Sequence, residues 1–140
     1  MKITLSGVPE IKAALIKMDA DAKRAAEQVV EVTARSIERK VKAGLNRGGR
    51  SGRTYQRRGI THQASAAGEY PKTDTGAFAA SVFTDARGLM ATVGSNLVYS
   101  AHLEYGTRNM SARPMWGPIR EEETLLFWKR MESTMKGATR

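Results

Sequence analysis

A stripe of apolar residues at helical spacing runs through the first third of the chain and constrains its fold more than any other feature. Pro9 suits the first position of a helix, and Asn46 followed by two glycines provides a stop. We therefore expect one helix over about 9–45, roughly 54 Å long at about 1.5 Å per residue, which exceeds the width of a domain of this size. Part of it should project or lie along a neighbouring subunit. The stripe consists of Ile11, Leu15, Met18, Ala22, Ala25, Val29, Val32, Ile37, Val41 and Leu45.

Shorter elements are predicted before and after this helix. Alternating polar and apolar residues at 2–5 indicate a strand, and 82–84 and 90–93 flank a turn at 85–88, which predicts a hairpin. Short helices are expected over 76–81 and 99–105. A last helix over about 118–136 should begin at Pro118, with the acidic residues 121–123 in its first turn. Its buried face is predicted to contain Leu125, Leu126, Phe127, Trp128 and Met131.

Positive charge is concentrated in one part of the chain. The 140 residues include 23 Lys and Arg against 14 Asp and Glu, a formal net charge of +9. Residues 35–58 contain Glu38 as their single acidic residue, so nearly the whole surplus lies there. A surplus of this kind predicts a negatively charged partner: nucleic acid, an acidic protein face or anionic lipid.

The segment 46–73 lies within and beyond this basic region. It has no apolar period and many glycines, so we predict a long, mobile loop without secondary structure. One interpretation is a flexible arginine arm that meets a polyanion, with Tyr55 available to stack. The other is a solvated loop whose charge serves solubility, and both stay open. The arginines concerned are Arg47, Arg50, Arg53, Arg57 and Arg58.

The sequence provides no constellation suited to catalysis, and we expect no enzyme, metal or cofactor. The chain has no cysteine, and His62 and His102 lie far apart, so a zinc site is not expected. Ser65 and Ser81 lack a neighbouring His and Asp pattern. The glycines at 48–52 match neither a phosphate-binding loop nor a dinucleotide motif. No stretch is apolar enough for a membrane span, so no membrane partner is expected.

Several short motifs occur in an order that resembles a known family. In this order and spacing they resemble the tail-completion or head–tail joining proteins, neck proteins of long-tailed bacteriophages and their prophages. The similarity covers almost the whole chain. The motifs are Ala64-Ser-Ala-Ala-Gly-Glu-Tyr-Pro-Lys-Thr-Asp-Thr-Gly76, Ser81-Val82, Val93-Gly-Ser-Asn96, Tyr99-Ser-Ala-His-Leu-Glu-Tyr-Gly-Thr107 and Ala112-Arg-Pro-Met115.

The resemblance implies a fold and a setting. It implies a single α+β domain over 1–140, with the long N-terminal helix packed on a small, mostly antiparallel sheet and with a C-terminal helix. It also implies a non-enzymatic virion protein, assembled in the host cytoplasm into a homo-oligomeric, hexameric ring at the head–tail interface. Implied partners are head-completion or adaptor proteins, the tail tube or tail terminator, and DNA passing through the lumen without sequence specificity. The motif residues expected to serve structure or assembly are Asp74, Thr75, Gly76, Ser81, Gly94, Tyr99, Glu104, Gly106, Thr107, Arg113 and Pro114.

Physical reasoning suggests roles for some of these residues. Asp74 or Thr75 can cap the short helix that follows, because each offers a side-chain oxygen to free N–H groups. Gly94 and Gly106 are expected at a positive φ or a close backbone approach. Glu104 is expected to pair with Arg113 or Arg108, within the chain or across a subunit boundary.

An alternative function is a small, basic, nucleic-acid-binding regulator that uses the arginine loop and the long helix. The apolar stripe along that helix favours assembly, since a helix that reads a DNA groove exposes a fuller polar face. Sequence-selective DNA binding by the isolated subunit would favour the regulator instead.

Overall fold

The computed structural model describes residues 1–6 and 20–138, and in these it has an α+β fold. The part of the predicted helix before Ala20, with Pro9, Ile11, Leu15 and Met18, lies outside the described residues. In chain order the elements are β1 Lys2–Ser6, α1 Ala20–Arg47, β2 Thr54–Arg57, β3 Ile60–Gln63, α2 Ala77–Ser81, β4 Val82–Arg87, β5 Met90–Ser95, α3 Tyr99–Tyr105 and α4 Trp116–Ala138.

Three strands form an antiparallel sheet in the order β1-β5-β4. Ile3 pairs with Val93, and β4 pairs with β5 along its whole length, so the predicted strands and hairpin are confirmed. The turn is shorter than predicted, because β4 continues to Arg87 and only Gly88 and Leu89 separate the strands. Gly94 lies against β1: a Cβ there would be 2.9 Å from the Met1 carbonyl oxygen, so the close approach predicted for Gly94 is confirmed.

Helix α1 packs across the sheet, and α4 packs along α1. Ala34, Ile37, Val41 and Leu45 are completely buried in the core. The apolar stripe was predicted to be buried, and for Val32 this prediction is wrong, since its side chain is 54% exposed. Successive residues of a helix are about 100° apart, so a row of residues spaced by three and four moves gradually around the helix axis. At this point of α1 Thr33 occupies the buried position instead of Val32.

Helix α4 departs from its prediction at its start and on its buried face. It begins at Trp116, so Pro118 lies within the first turn and residues 121–123 lie beyond it. The buried face runs through Ile119, Glu123 and Met131. Two residues predicted to be buried are largely exposed, Leu125 at 68% and Trp128 at 43%, because the side of α4 that meets α1 is rotated away from them.

No helix within the described ranges is long and apolar enough to cross a membrane.

Candidate functional site

The prediction that segment 46–73 lacks secondary structure is wrong. Strands β2 and β3 form an antiparallel hairpin in which Tyr55 pairs with His62 and Arg57 pairs with Ile60. Arg58 and Gly59 make the turn, both at positive φ. Thr54, Tyr55, Ile60 and Thr61 are residues that favour strands, but the breakers around them hid the signal. The mobility of the segment stays a prediction. We call 48–73 the basic hairpin segment.

Backbone hydrogen bonds close the base of this segment. The Gly49 N–H donates to the Tyr70 carbonyl at 3.0 Å, and the Gly52 N–H donates to the Ala64 carbonyl at 2.9 Å. A Cβ on Gly52 would lie 2.4 Å from the Ser65 carbonyl oxygen. The glycine here therefore permits two backbone stretches to touch.

Glu69 holds the returning stretch of the hairpin segment. Its carboxylate accepts hydrogen bonds from the Ser51 hydroxyl at 2.5 Å and from the Ala66 N–H at 2.8 Å. The hydrogen bond from Ser51, followed by that from Ala66, holds the pKa of Glu69 below its usual range. An ionised carboxylate thus joins the two sides of the segment.

Asp74 does not cap α2 as predicted, because it anchors the hairpin. One carboxylate oxygen accepts from the Arg57 guanidinium at 2.5 Å, and the other lies 2.9 Å from His62 Nδ1. Gly76 takes the N-cap position of α2, at φ 77°. Thr75 accepts a hydrogen bond from the Ala77 N–H at 3.4 Å, so it contacts the start of α2 without being its N-cap residue.

Four of the five predicted arginines are unpaired within the described part of the chain. Arg47, Arg50, Arg53 and Arg58 are exposed and form no ion pair there, whereas Arg57 is held by Asp74. Tyr55, which we expected to be free for stacking, already stacks on His62 with ring centroids 5.5 Å apart. Among these unpaired arginines, Arg53 and Arg58 lie at the two ends of β2, and Arg50 lies at the base of the hairpin.

A cleft of about 240 Å³ separates the hairpin from residues 71–74. Lys72 and Arg113 contribute cationic side chains to it, and His62 and Asp74 line it from the anchored side. In the described residues Lys72 has no ion pair, so the cleft adds to the positive surface of the hairpin.

Beside the hairpin, the predicted motif residues around α3 pack as one unit. The Glu104 carboxylate is buried and accepts three backbone hydrogen bonds at the start of α4, from Met115 at 2.7 Å, Trp116 at 2.9 Å and Gly117 at 2.8 Å. Within the described chain Glu104 therefore does not pair with Arg113 or Arg108, the partners suggested by the sequence. A carboxylate is a strong acceptor for the free N–H groups of a helix start, where the helix dipole also favours negative charge.

Arg113 connects this unit to the hairpin segment. Its Nε donates to the Ala66 carbonyl at 3.3 Å, and its backbone N–H donates to the Leu103 carbonyl at 2.6 Å. The Gly68 N–H reaches the Ala112 carbonyl at 3.0 Å. We call 64–70, 103–106 and 110–117 the motif cluster. The first of these segments is distant in sequence from the other two and contacts them there.

The remaining predicted residues have structural contacts. Gly106 ends α3 at φ 75°, and a Cβ there would lie 2.8 Å from the Met110 carbonyl oxygen. The Thr107 N–H donates to that carbonyl, and the half-buried Pro114 precedes Met115. Tyr99 packs edge-on against Phe78 at 5.5 Å. The Ser81 and Ser95 hydroxyls are 2.7 Å apart and link α2 to β5.

An ionic cluster between α1 and α4 escaped the sequence analysis. Glu123 is completely buried and accepts from Lys40 at 2.6 Å, Arg130 at 2.9 Å and the Ser36 hydroxyl at 2.8 Å. Burial alone would raise the pKa of Glu123, but the hydrogen bonds from Lys40, Arg130 and Ser36 outweigh it and lower the pKa. The only available signal was the recurrence of charged residues on the buried stripes of both helices.

The described residues offer no arrangement suited to metal chemistry. None of their groups of His, Asp and Glu could hold a metal ion. His62 is committed to Asp74, and His102 is exposed on α3. What the molecule presents is a positive hairpin on a well-packed base.

Comparison of the chain with protein-family models, curated proteins and solved structures finds no match.

Proposed function

We propose that this protein is a structural component of the head–tail junction of a tailed phage or related particle. It acts without catalysis, by protein–protein assembly around the DNA channel. The observation that carries the proposal is the motif cluster. Glu104, Arg113 and Gly106 hold backbone segments together there and present no reactive group to solvent. Motifs used in this way suit a scaffold that must keep its shape while neighbours assemble on it.

Exposed apolar side chains near the motif cluster support a role in assembly. Val98 precedes α3 and Tyr105 is its last residue, and they are 79% and 72% exposed. Aromatic residues that protrude from a folded surface are enriched in protein interfaces. In a ring, each subunit uses two different surfaces for its two neighbours. We propose that the α3 surface is one of them in a homo-oligomeric, hexameric ring, flanked by head-completion and tail proteins in the virion.

A second candidate function is a small nucleic-acid-binding regulator. The unpaired Arg50, Arg53 and Arg58 favour it, because a regulator needs free cations for phosphate contacts. Sequence selectivity separates the two functions. A regulator must prefer one duplex sequence by a large factor, whereas a ring around passing DNA must not.

The assembly function is tested by deleting the gene from a particle-forming system that encodes this chain. Electron microscopy should show filled heads and separate tails, and the wild-type protein supplied in trans should restore joined particles. Joined, normal virions in the deletion would contradict the proposal.

A matched pair of variants sharpens this test. Val98→Ser with Tyr105→Ser should fold but fail to restore joining, because the apolar contact is lost. Met90→Ser removes another exposed apolar side chain, on the β4–β5 hairpin, and should restore joining. Equal restoration by both would remove α3 from the proposed interface.

A further inference from the structure

We infer that the basic hairpin segment binds the phosphate backbone of duplex nucleic acid, without reading its sequence. This inference rests on the proposed function in one respect, since it identifies the DNA in the channel as the partner of the hairpin. The surface concerned consists of Arg50, Arg53 and Arg58, extended by Lys72 and Arg113 in the adjoining cleft.

The charge balance of the chain argues against a second copy as the partner of the hairpin. Every described Asp and Glu except Glu27 and Glu121 already makes an ion pair or a hydrogen bond. A neighbouring copy therefore offers few free carboxylates to the arginines. Among the described residues, this favours a different molecule as the source of the negative charge.

The faces of the hairpin differ in chemistry. Tyr55, Arg57 and His62 lie on the face turned toward Asp74, because side chains alternate along a strand and all three take part in that stacked and ion-paired contact. Thr54 and Gln56 consequently lie on the opposite face. Lys72 and Arg113 line the cleft on the Asp74 side, so the proposed phosphate contacts belong to that side of the hairpin and do not include Thr54 and Gln56.

The positions of the arginines suit a contact with several phosphates. Arg53 directly precedes β2 and Arg58 begins the turn, so they lie at opposite ends of a strand about 13 Å long at about 3.3 Å per residue. Duplex DNA carries about one charge per 1.7 Å of its axis, and a surface of this length meets several phosphates. Guanidinium groups also form paired hydrogen bonds with phosphate oxygens.

The rigidity of the base favours backbone contact over base reading. The bonds from Gly49 and Gly52, together with the Asp74 anchor, orient the hairpin before any partner arrives. Arg57 and Tyr55 already make internal contacts, so neither is free to contact a base edge. Binding should therefore depend strongly on salt and weakly on sequence.

The test measures binding of the full chain to two unrelated 20-base-pair duplexes by fluorescence anisotropy at several salt concentrations. The hairpin variant carries Arg50→Gln, Arg53→Gln and Arg58→Asn, where Asn is chosen because it tolerates the positive φ at that position. The control variant carries Lys23→Gln, Arg120→Gln and Lys129→Gln, which removes the same charge from exposed helix positions without ion pairs in the described structure.

We expect the wild-type protein to bind both duplexes equally. Each lost phosphate contact lowers the slope of log affinity against log salt by about 0.9, so the hairpin variant should lose about 2 to 3 from that slope. At low salt its affinity should fall at least about tenfold. The control variant should keep most of the affinity, and circular dichroism should show that both variants are folded.

Three results would overturn the inference: no binding of wild type to either duplex at about 50 mM salt, equal losses in the two variants, or tight binding to polyglutamate without binding to DNA. The last result would indicate an acidic protein as the partner. None of these results tests the assembly function. That function is tested separately, by whether particles that lack the protein have joined heads and tails.

Discussion

The ionic cluster between α1 and α4 and the basic hairpin segment use the same kinds of charged residue in opposite ways. Glu123 is buried and satisfied by Lys40, Arg130 and Ser36, all from within the chain. Arg53 and Arg58 are exposed and have no ion pair in the described structure. Charge in the first region holds two helices together, whereas Arg53 and Arg58 in the second are neutralised by no carboxylate of the described structure. The net charge of the chain therefore says little until its residues are assigned to one region or the other.

The largest expected effect comes from breaking the paired region. Glu123→Gln leaves Arg130 without its carboxylate partner and leaves Lys40 with only that of Glu122, and we expect a loss of about 2–4 kcal/mol in the free energy of unfolding. Removing one partner of a fully buried pair costs about 3–5 kcal/mol, and this loss should be smaller because Lys40 and Arg130 remain 28% and 31% exposed. Urea unfolding followed by circular dichroism measures it.

Arg53→Gln is the matched control for this substitution, because it removes a charge that has no ion pair. Its effect on the free energy of unfolding should stay within about 0.5 kcal/mol. Similar losses in the two variants would remove the distinction between the regions.

The pH dependence provides a second control for Glu123. Since folding lowers the pKa of Glu123 below its usual 4.5, its contribution is present above pH 4.5 and is lost as the pH falls through the lowered value. The difference between wild type and Glu123→Gln should therefore shrink on acidification. A difference that stays constant from pH 7 to pH 3 would contradict the assigned role of the carboxylate.

An intermediate effect is expected in the motif cluster. Glu104→Ala leaves three backbone N–H groups at the start of α4 without their acceptor, and we expect a loss of about 2–3 kcal/mol in the free energy of unfolding. Glu104→Gln retains one acceptor oxygen and should lose less. Thermal unfolding of the two variants measures this difference, and equal losses would contradict the expectation, because they would show that the oxygen retained by Gln does not serve as an acceptor.

The smallest global effect is expected in the base of the hairpin. Gly52→Ala places a methyl group against the Ser65 carbonyl, so the base must open locally while the core remains packed. Limited proteolysis should cut first within 46–73 in wild type, and faster there in the variant, with little change in the melting temperature. Gly137→Ala, whose Cβ meets no neighbouring atom, is the control. Early cleavage within α1 would contradict the expectation that the protease cuts first within 46–73.

Elements whose signal is local were predictable from the sequence. The alternation at β1, the turn between β4 and β5 and the extent of α3 all depend on neighbouring residues, and each is found within a few positions of its prediction. The hairpin within 46–73 was missed because its strands have four residues each and are largely exposed, so no apolar period marks them.

The candidate site was only partly predictable. The sequence located the free arginines, since exposure is the ordinary state of an arginine without a carboxylate nearby. It misplaced Asp74, which was assigned to the helix beside it, and Glu104, which was assigned to an arginine side chain. The partners are Arg57 and His62 of the hairpin for Asp74, and backbone N–H groups at the start of α4 for Glu104.

By itself, the sequence determined a long helix with an apolar stripe and a concentration of positive charge at the end of this helix and in the segment that follows. Periodicity and composition are properties of consecutive residues, so they can be read directly. Only the tertiary structure decided which carboxylates form ion pairs within the chain, because such a pair depends on the distance between segments that are remote in sequence. Glu123 neutralises a helix interface and Asp74 holds the hairpin in place. Once these contacts are made, Arg50, Arg53 and Arg58 of the basic hairpin segment remain exposed and without an ion pair in the described residues.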